Sequence, residues 1–518
     1  MKRRTALKAL GFGIGGAVAL TTGGYGVYWA TADQDTVGKI AFDKALSIPP
    51  LAESETNASG TRVFTLGIRS GETRFKPGAA TRTWGVNGSY LGPTIRVRRG
   101  EQVEFAVRNR LDQDTSLHWH GMHLPAAMDG GPHQVVPAGE TWRPRWTVDQ
   151  PAATLWYHPH LHGATADHMY RGVSGLLIVD DEDAGDPKDA GDPTKAGDPT
   201  KAGAKLPSEY GVDDIPMIVQ DRAFDGDNQF EQRLPLGGAL GIIGNEILVN
   251  GVLGPYVDVT TQLVRLRLLN GSNARLYNFG FSDDRSFSLV ATDGGLLAEP
   301  WQTKRLYLSP GERAEIVVAF KPGEKTELRS YPSEYGGTLG RIEGFDDRLD
   351  ICQFRAADTL SESAGIPATL GTAPDLAGEK PARERSFVLS SDQINGKSMA
   401  MDRIDFGVAE GTVEVWDVVN DNGFLHNFHV HDVQFQVLTV DGGKPEPHLR
   451  GWKDTVLLAQ GKHYRLAMRF RGHTDPNTPY MYHCHLLQHE DKGMMGQFVV
   501  LGEGEKVGTV PKGHHHNS

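Results

Sequence analysis

The residues best suited to chemistry lie near the carboxyl end of the chain, in the tetrapeptide YHCH. Successive side chains of a β-strand point to opposite faces, so His483 and His485 would share one face and Cys484 would occupy the other. One strand could therefore serve two metal sites. His489 and Met494 follow within ten residues of the cysteine. A cysteine, two histidines and a weak methionine thioether are the ligands of a blue-copper site.

Three further motifs contain two histidines separated by one residue. Such a motif places both imidazoles on one face of a strand, which suits a metal cluster bound between strands. The four motifs together hold 8 of the 20 histidines, more than isolated core or surface histidines would explain. The additional motifs are His118-Trp119-His120, His158-Pro159-His160 and His429-Val430-His431, and His426 lies just before the last of them.

These motifs, in this order, resemble those of the multicopper oxidases, the family that includes laccases, bilirubin oxidases and copper-efflux oxidases. The resemblance covers roughly residues 45–503, and residues 483–495 (HCHLLQHEDKGMM) are similar in particular to copper-efflux oxidases and spore-coat laccases. It implies four copper ions per chain. The implied ligands are His426, Cys484, His489 and Met494 for type 1 copper, His118 and His429 for type 2, His120, His158 and His485 for one type 3 copper, and His160, His431 and His483 for the other.

The resemblance also implies an activity, the reduction of O₂ to water by four electrons taken singly from a donor. Cys484 would link the two sites because the backbone joins it directly to the cluster ligands on either side. Two acids, Asp129 and Glu490, match residues that relay protons to the cluster in copper-efflux oxidases. The alternative for either acid is an ordinary solvated carboxylate.

An internal repeat predicts an all-β chain of three cupredoxin-like Greek-key β-sandwich domains. Residues 100–121 and 411–431 share an alternating strand, a turn containing asparagine and a histidine strand, whereas residues 261–281 keep this outline without histidines. Pro159 takes the place that Cys484 has in the third copy, so only that copy can form the thiolate site. The histidine cluster would lie between the first and third copies.

Length and composition support several domains. A chain of 518 residues is too long for one core, and a net charge of −12 without a basic stripe argues against nucleic-acid binding. A repeated AGDPTK hexapeptide marks a disordered linker. We expect a signal peptide at 1–32, domain 1 at 45–182, a linker at 183–211, domain 2 at 212–360, a linker at 361–383 and domain 3 at 384–505.

The amino terminus has the features of an export signal. A basic start with the pair Arg3-Arg4 precedes a glycine-rich apolar stretch and a small-residue cleavage site at residues 30–32. This pattern predicts export by the twin-arginine translocation machinery to the periplasm, the cell surface or the medium. An uncleaved anchor remains the alternative. We also expect a monomer, because one chain holds both halves of the cluster, and a buried apolar thiol at Cys352.

The donor is less clearly indicated. Copper-efflux oxidases owe cuprous-ion oxidation to a methionine-rich insertion and to an Asp and a Met just before the first type 1 histidine. The corresponding residues here are Asn422 and Phe424, and the 11 methionines are scattered. This departure favours organic donors: phenols, aromatic amines or bilirubin-like pigments, as in laccases. A cuprous-ion oxidase for copper tolerance and a copper-free envelope scaffold protein of the same fold remain alternatives.

Overall fold

The computed structural model describes residues 34–180, 205–232, 239–335, 340–341, 343–371 and 375–510. The expected signal peptide and most of the 183–211 linker lie outside these residues. The first strand of the described chain, β1 (Lys44–Ala45), pairs in parallel with the later strand 255–261. No helix among the described residues combines the length and the apolar character needed to cross a bilayer.

Sandwich 1, our name for the first pair of sheets, encloses an apolar core. Val103, Phe105 and Val107 alternate along one strand and enter this core, as a strand with one buried face requires. The strands are β2 (Ser54–Thr56), β3 (Arg62–Thr73), β4 (Thr81–Val86), β5 (Ile95–Val97), β6 (Gln102–Asn109), β7 (His118–His120), β8 (Thr141–Trp142), β9 (Arg145–Thr147), β10 (Ala153–His158) and β11 (Gly175–Val179). One sheet has the order β2-β3-β6-β8, with β4 and β9 attached, and the other has the order β5-β11-β10-β7.

Sandwich 2 contains β1 and β12–β23. In its strand 263–270, Val264, Leu266 and Leu268 enter the core, whereas Arg265 and Arg267 lie on the opposite face. The strands are β12 (Asp214–Arg222), β13 (Glu246–Val249), β14 (Val252–Leu253), β15 (Pro255–Thr261), β16 (Leu263–Asn270), β17 (Tyr277–Phe281), β18 (Phe287–Thr292), β19 (Gly295–Thr303), β20 (Leu306–Leu308), β21 (Arg313–Ala319), β22 (Lys325–Ser330) and β23 (Leu349–Ser361). The sheets have the orders β1-β15-β23-β22-β17-β20 and β14-β13-β12-β16-β21-β18-β19.

Sandwich 3 is formed by β24–β33. Phe428 and Val430 enter its core and His429, between them, points the other way. The strands are β24 (Arg383–Ser390), β25 (Gln393–Ile394), β26 (Phe406–Ala409), β27 (Val413–Asn420), β28 (His426–Val430), β29 (Phe435–Val440), β30 (Thr455–Leu458), β31 (His463–Arg469), β32 (Tyr480–His483) and β33 (Met495–Leu501). The sheets have the orders β25-β24-β27-β31-β29 and β26-β33-β32-β28-β30.

Two short helices contact each other where sandwich 1 meets sandwich 3. Helix α1 (Thr165–Arg171) contacts α2 (Leu487–Asp491), and the remaining helices described here are 3₁₀ turns at Ala126–Met128 and Pro447–Leu449. The Asp491 carboxylate accepts the N–H groups of Thr165 and Ala166, each at 2.9 Å, at the start of α1. This contact holds the segment that follows Cys484 against sandwich 1. The predicted all-β fold of three sandwiches is confirmed.

Candidate metal centre

The eight histidines of the H-x-H motifs converge at the junction of sandwiches 1 and 3, in what we name the histidine cluster. Strand register begins this convergence, because His158 lies opposite His118 on β10 and β7, and His483 lies opposite His429 on β32 and β28. Contacts across the junction complete it: Nε2 of His160 lies 3.2 Å from Nε2 of His483. None of the eight side chains is more than 1% exposed.

Ring orientation decides which nitrogen can bind a metal. Four rings donate Nδ1–H to a backbone carbonyl at 2.8 to 3.1 Å, which leaves Nε2 free: His118, His158, His429 and His483. Three more bring Nε2 within 3.4 Å of another histidine: His160, His431 and His485. His120 is reversed. Its Nδ1 faces the cluster, 3.3 Å from a neighbouring ring, and its Nε2 lies 3.1 Å from Oδ1 of Asp454.

The cluster has unsatisfied donor atoms that a metal ion would complete. Nε2 of His118 and of His429 are buried without a hydrogen-bond partner, although buried polar atoms are nearly always paired. Burial lowers the pKa of seven of the eight rings, to about 4 for His431 and about 3 for His485, so neutral imidazole is retained in these seven. Neutral imidazole is the metal-binding form, and the donor set fits copper.

A second group, which we name the thiolate trio, lies within sandwich 3. Nδ1 of His426 and Nδ1 of His489 lie 3.3 and 3.6 Å from Sγ of Cys484 and 3.1 Å from each other. Burial raises the pKa of Cys484 to about 12, so a thiolate forms there when a bound cation replaces the proton. Met494 is buried in the same core, and its backbone carbonyl accepts the N–H of Cys484 at 3.1 Å.

The two predicted relay acids contact different histidines of the cluster. Asp129 Oδ2 accepts from Nδ1 of His431 at 2.7 Å. Burial alone would raise the pKa of Asp129, but His431 and His118 hold it well below its ordinary value. Glu490 places its two carboxyl oxygens 3.4 Å from Nδ1 of His160 and 3.3 Å from Nδ1 of His483. Burial, with the charge of Asp491, raises the pKa of Glu490 well above its ordinary value.

The outer edges of the trio histidines are covered. His489 donates Nε2–H to the backbone carbonyl of Ala239 at 2.7 Å, and the side-chain amide of Asn422 lies 2.6 Å from Nε2 of His426. The ring of Phe424 lies 5.1 Å from that of His426 and 5.7 Å from that of His489. An electron donor would therefore approach the trio through these contacts.

The predicted histidine and cysteine ligands all lie in one of these two groups, and Met494 lies in the core around the trio, but three neighbours were overlooked. Asn427 accepts the N–H of His485 at 2.6 Å, and Asp454 with Arg313 borders His120. Asn427 could have been noticed, since it alternates on β28 with residues of the apolar core. Asp454 and Arg313 lie outside every histidine motif and have no local signal.

Comparisons with known proteins agree with this geometry. Residues 68–184 and 366–503 match family models described as multicopper oxidase. The chain is similar to the multicopper oxidase mco of Staphylococcus haemolyticus, with 34% identity over 464 residues that cover 87% of this chain and 91% of that protein. It is also similar to the cell division protein FtsP of Escherichia coli, with 34% identity over 462 residues that cover 88% and 92%.

A solved multicopper oxidase structure is also similar to this chain. The chain superposes on a laccase-like multi-copper oxidase, CueO, from an Ochrobactrum species with a TM-score of 0.75 and 36% identity, covering 88% of this chain and all of that one. The description of that protein records oxidase activity towards lignin model compounds and lignosulfonate. These similarities span sandwiches 1, 2 and 3 rather than one repeat.

Proposed function

Because the chain belongs to the multicopper oxidase family, we propose that it is a copper-dependent oxidase that takes single electrons from organic donors and uses O₂ as acceptor. The observation that carries this proposal is the convergence of eight buried histidines beside a buried cysteine and its two histidines. The histidine cluster leaves buried imidazole nitrogens without hydrogen-bond partners, which is costly in a protein that binds no metal.

The proposed ligands follow the two groups. Four copper ions per chain would be held, with type 1 copper in the thiolate trio and the other three in the histidine cluster. The assignment is His426, Cys484, His489 and Met494 for type 1, His118 and His429 for type 2, His120, His158 and His485 for one type 3 ion, and His160, His431 and His483 for the other. When bound, copper supplies one-electron redox chemistry, by which four donor oxidations and four protons convert one O₂ into two waters.

Within the chain, Cys484 and Asn427 would join the two groups. Cys484 projects into the apolar core of sandwich 3, and the residues on either side of it in the chain project into the cluster. Asn427 Oδ1 accepts the N–H of His485 at 2.6 Å and lies 3.6 Å from Sγ of Cys484. The amide of Asn427 also donates to Pro310 of sandwich 2 at 2.8 Å, which fixes its orientation. The path from sulfur to cluster is therefore short and held rigidly.

The two acids would supply protons with different starting states. Glu490, whose pKa is raised by burial, holds a proton beside His160 and His483. Asp129, whose pKa is lowered, is an ionised acceptor beside His431. Acids with pKa values displaced in opposite directions are suited to donor and acceptor roles. We propose that Glu490 donates protons to the cluster. Asp129 would take up protons beside His431 and pass them towards the cluster.

The surroundings of the trio favour an aromatic donor. Phe424, Leu240 and Ile243 belong to the apolar cluster that contains Cys484. An aromatic ring gains contact area on such a surface, whereas a cuprous ion requires soft or anionic ligands, which Asn422 and Phe424 do not provide. The lignin-related activity recorded for the Ochrobactrum protein supports the same choice. Cuprous-ion oxidation is the second candidate.

A copper-free envelope scaffold is the alternative from another class. The similarity to the cell division protein FtsP motivates it, because that relative covers as much of the chain as the oxidases do. Against it, no position of the proposed ligand set is substituted, and the ligand atoms lie within 4.8 Å of one another both in the group His160, His431 and His483 and in the group His426, Cys484 and His489. For the cell location we propose export by the twin-arginine machinery to the periplasm, cell surface or medium, as a monomer.

The proposal is tested on the full chain after loading with copper. We expect about four copper ions per chain, a blue sulfur-to-copper absorption, and oxygen uptake with 2,6-dimethoxyphenol. Oxygen uptake with cuprous ion but with no phenol would transfer the proposal to metal oxidation. A colourless protein that binds fewer than four ions and consumes no oxygen would support the scaffold instead.

A further inference from the structure

One arginine of sandwich 2 connects all three sandwiches beside the histidine cluster. Arg313, at the start of β21, is fully buried. Its Nη1 and Nη2 donate to Oδ1 and Oδ2 of Asp454 in sandwich 3 at 2.7 and 2.6 Å, and its Nε donates to the Thr154 carbonyl in sandwich 1 at 2.9 Å. A two-point contact between a guanidinium and a carboxylate fixes both distance and orientation.

Asp454 in turn contacts two histidines of the cluster. Oδ1 lies 3.1 Å from Nε2 of His120, and the Asp454 backbone carbonyl accepts Nδ1–H of His429 at 2.8 Å. A ring that binds a metal through Nδ1 carries its proton on Nε2, and a carboxylate at Nε2 selects that tautomer. The reversed ring of His120 is therefore explained by its neighbour.

We propose that Arg313 and Asp454 form a positioning pair that makes Nδ1 of His120 the metal-binding atom, so that sandwich 2, which has no predicted ligand, helps to build the histidine cluster. The identity of the metal as copper rests on the proposed function. His120, His429 and Asp454 also satisfy the geometry of a small metal site. Both carboxylate oxygens of Asp454 are already occupied by Arg313, so we assign the carboxylate to orientation rather than to metal binding.

Two glycines lie where any side chain would collide with the Arg313–Asp454 pair or with a histidine of the cluster. Gly121 follows His120 with φ +84°, and a Cβ there would lie 2.6 Å from Oδ2 of Asp454 and 2.7 Å from Nη2 of Arg313. Gly311, with φ +85°, brings sandwich 2 so close that its Cβ would lie 3.1 Å from the ring of His485. Side chains at either position would displace the pair or the ring.

Further charges hold Arg313 in place. Asp293 Oδ1 accepts the backbone N–H of Arg313 at 2.8 Å, and Lys453 Nζ lies 2.8 Å from Oδ2 of Asp293 and 2.8 Å from Oε1 of Glu312. All of these side chains are buried. Removing one member of such a group leaves an uncompensated buried charge, so loss of stability alone must be separated from loss of positioning.

A second buried arginine provides the matched control. Arg267, on β16, donates Nε and Nη2 to Asp214 at 2.6 and 3.0 Å, and Nη1 to Oε1 of Glu315 at 2.9 Å and Oγ1 of Thr154 at 2.8 Å. It therefore also joins sandwich 2 to Thr154 in two-point contact with an aspartate. Within the described part of the chain, the hydrogen bonds of Arg267 go to Asp214, Thr154 and Glu315 and not to a histidine. Arg267→Met removes the same kind of group without affecting His120.

The experiment compares the copper-loaded full chain with Arg313→Met, Arg313→Lys and Arg267→Met. The blue absorption reports the thiolate trio, and the bound copper per chain with its EPR-detectable fraction reports the cluster. We expect both Arg313 variants to keep the blue absorption and to bind cluster copper about 10- to 100-fold more weakly, with a larger EPR-detectable fraction. Arg267→Met should match the parent chain in both cluster readouts.

Each result decides the inference. Arg313→Lys keeps the charge but loses the two-point contact, so it supplies the answer if Arg313→Met does not fold. Cluster copper in Arg313→Lys equal to that of the parent would overturn the proposal, as would equal losses in Arg267→Met. These readouts do not require turnover. If the parent chain bound copper fully but consumed no oxygen, the proposed oxidase activity would be contradicted. The proposal for Arg313 and Asp454 would not be affected by that result.

Discussion

The thiolate trio and the histidine cluster differ in how the chain builds them. The trio lies inside sandwich 3, where β28 and the segment after β32 meet in one apolar core. The cluster lies between sandwiches 1 and 3, and its outer contacts include Asp129, Glu490 and the Arg313–Asp454 pair from three sandwiches. The ligands of the trio therefore come from one sandwich, whereas the ligands of the cluster come from two and their supporting contacts from all three.

The surroundings of the two groups differ in the same way. Apolar side chains enclose Cys484, and burial is the largest cause of its raised pKa, with smaller contributions from the charges of Glu490 and Asp392. Beside the cluster, burial raises the pKa of Glu490, whereas the neighbouring histidines His431 and His118 lower the pKa of Asp129. We expect substitutions near the trio to change colour, potential and donor preference, and substitutions near the cluster to change oxygen reduction.

The largest effect should come from the trio cysteine. Cys484→Ser should abolish the blue absorption and reduce turnover by about three powers of ten, equal to about 4 kcal/mol of barrier, because electrons lose their entry site. Absorption spectra and oxygen uptake measure both. Cys352 is the matched control, since it is equally buried but lies in the core of sandwich 2. Cys352→Ala should lower stability by about 2 kcal/mol and keep the colour; retained colour in Cys484→Ser would refute the assignment.

The next effect separates the cluster from the trio. Asp129→Asn should slow oxygen reduction about 10- to 100-fold, because a neutral amide cannot take up protons next to His431, while the blue absorption stays intact. Reduction of the blue band by a phenol under nitrogen, followed by reoxidation with O₂, measures the two halves separately. If phenol reduced the variant slowly but O₂ reoxidised it at the normal rate, Asp129 would act in electron entry. That result would contradict the assignment of Asp129 to the histidine cluster rather than to the trio.

Donor preference should respond to residues at the edge of the trio. The double change Asn422→Asp with Phe424→Met would supply an anionic and a soft ligand near His426, and we expect the ratio of cuprous-ion to phenol turnover to rise about tenfold, equivalent to about 1.4 kcal/mol. Steady-state oxygen uptake with each donor measures this ratio. Asn422→Gln, which adds no charge, should leave it unchanged. A rise in both variants would mean that steric access, not ligand chemistry, limits the donor.

The smallest effect concerns Glu343, close to the trio. Burial raises the pKa of Glu343 to about 7, partly offset by the N–H of Ala239, whose carbonyl accepts from His489. The carboxyl is neutral below this pKa and gains a negative charge as pH rises through it. The charge stabilises oxidised copper, so the potential of the trio site should fall by tens of millivolts, on the scale of about 59 mV per tenfold change.

Redox titration of the blue band at several pH values tests this expectation. Glu343→Gln should give a potential that is constant across the same pH range. A fall of the same size in Glu343→Gln would assign the pH dependence to another group. The cluster readouts should not change in this variant, since the identified link of Glu343 runs through Ala239 to His489 of the trio.

How far the sequence predicted the site can be judged from particular residues. The H-x-H spacing placed both imidazoles of each motif on one face, and the structure has His483 and His485 with ring centroids 5.6 Å apart while Cys484 lies in the core. The repeat likewise predicted three sandwiches. The sequence did not indicate that the outer edges of His426 and His489 are covered, by Asn422 and Ala239 respectively. Asn422 is a local neighbour of His426, whereas Ala239 is 250 residues from His489 and has no local signal.

The sequence by itself determined which residues can be ligands and which strands present them, because the two-residue period of a strand is a property of the local backbone. The tertiary structure alone decided which nitrogen of His120 faces the cluster. His120 and Asp454 are 334 residues apart, and Arg313 comes from a third sandwich. No local pattern encodes a contact among three distant segments, because it exists only after the sandwiches have packed against one another.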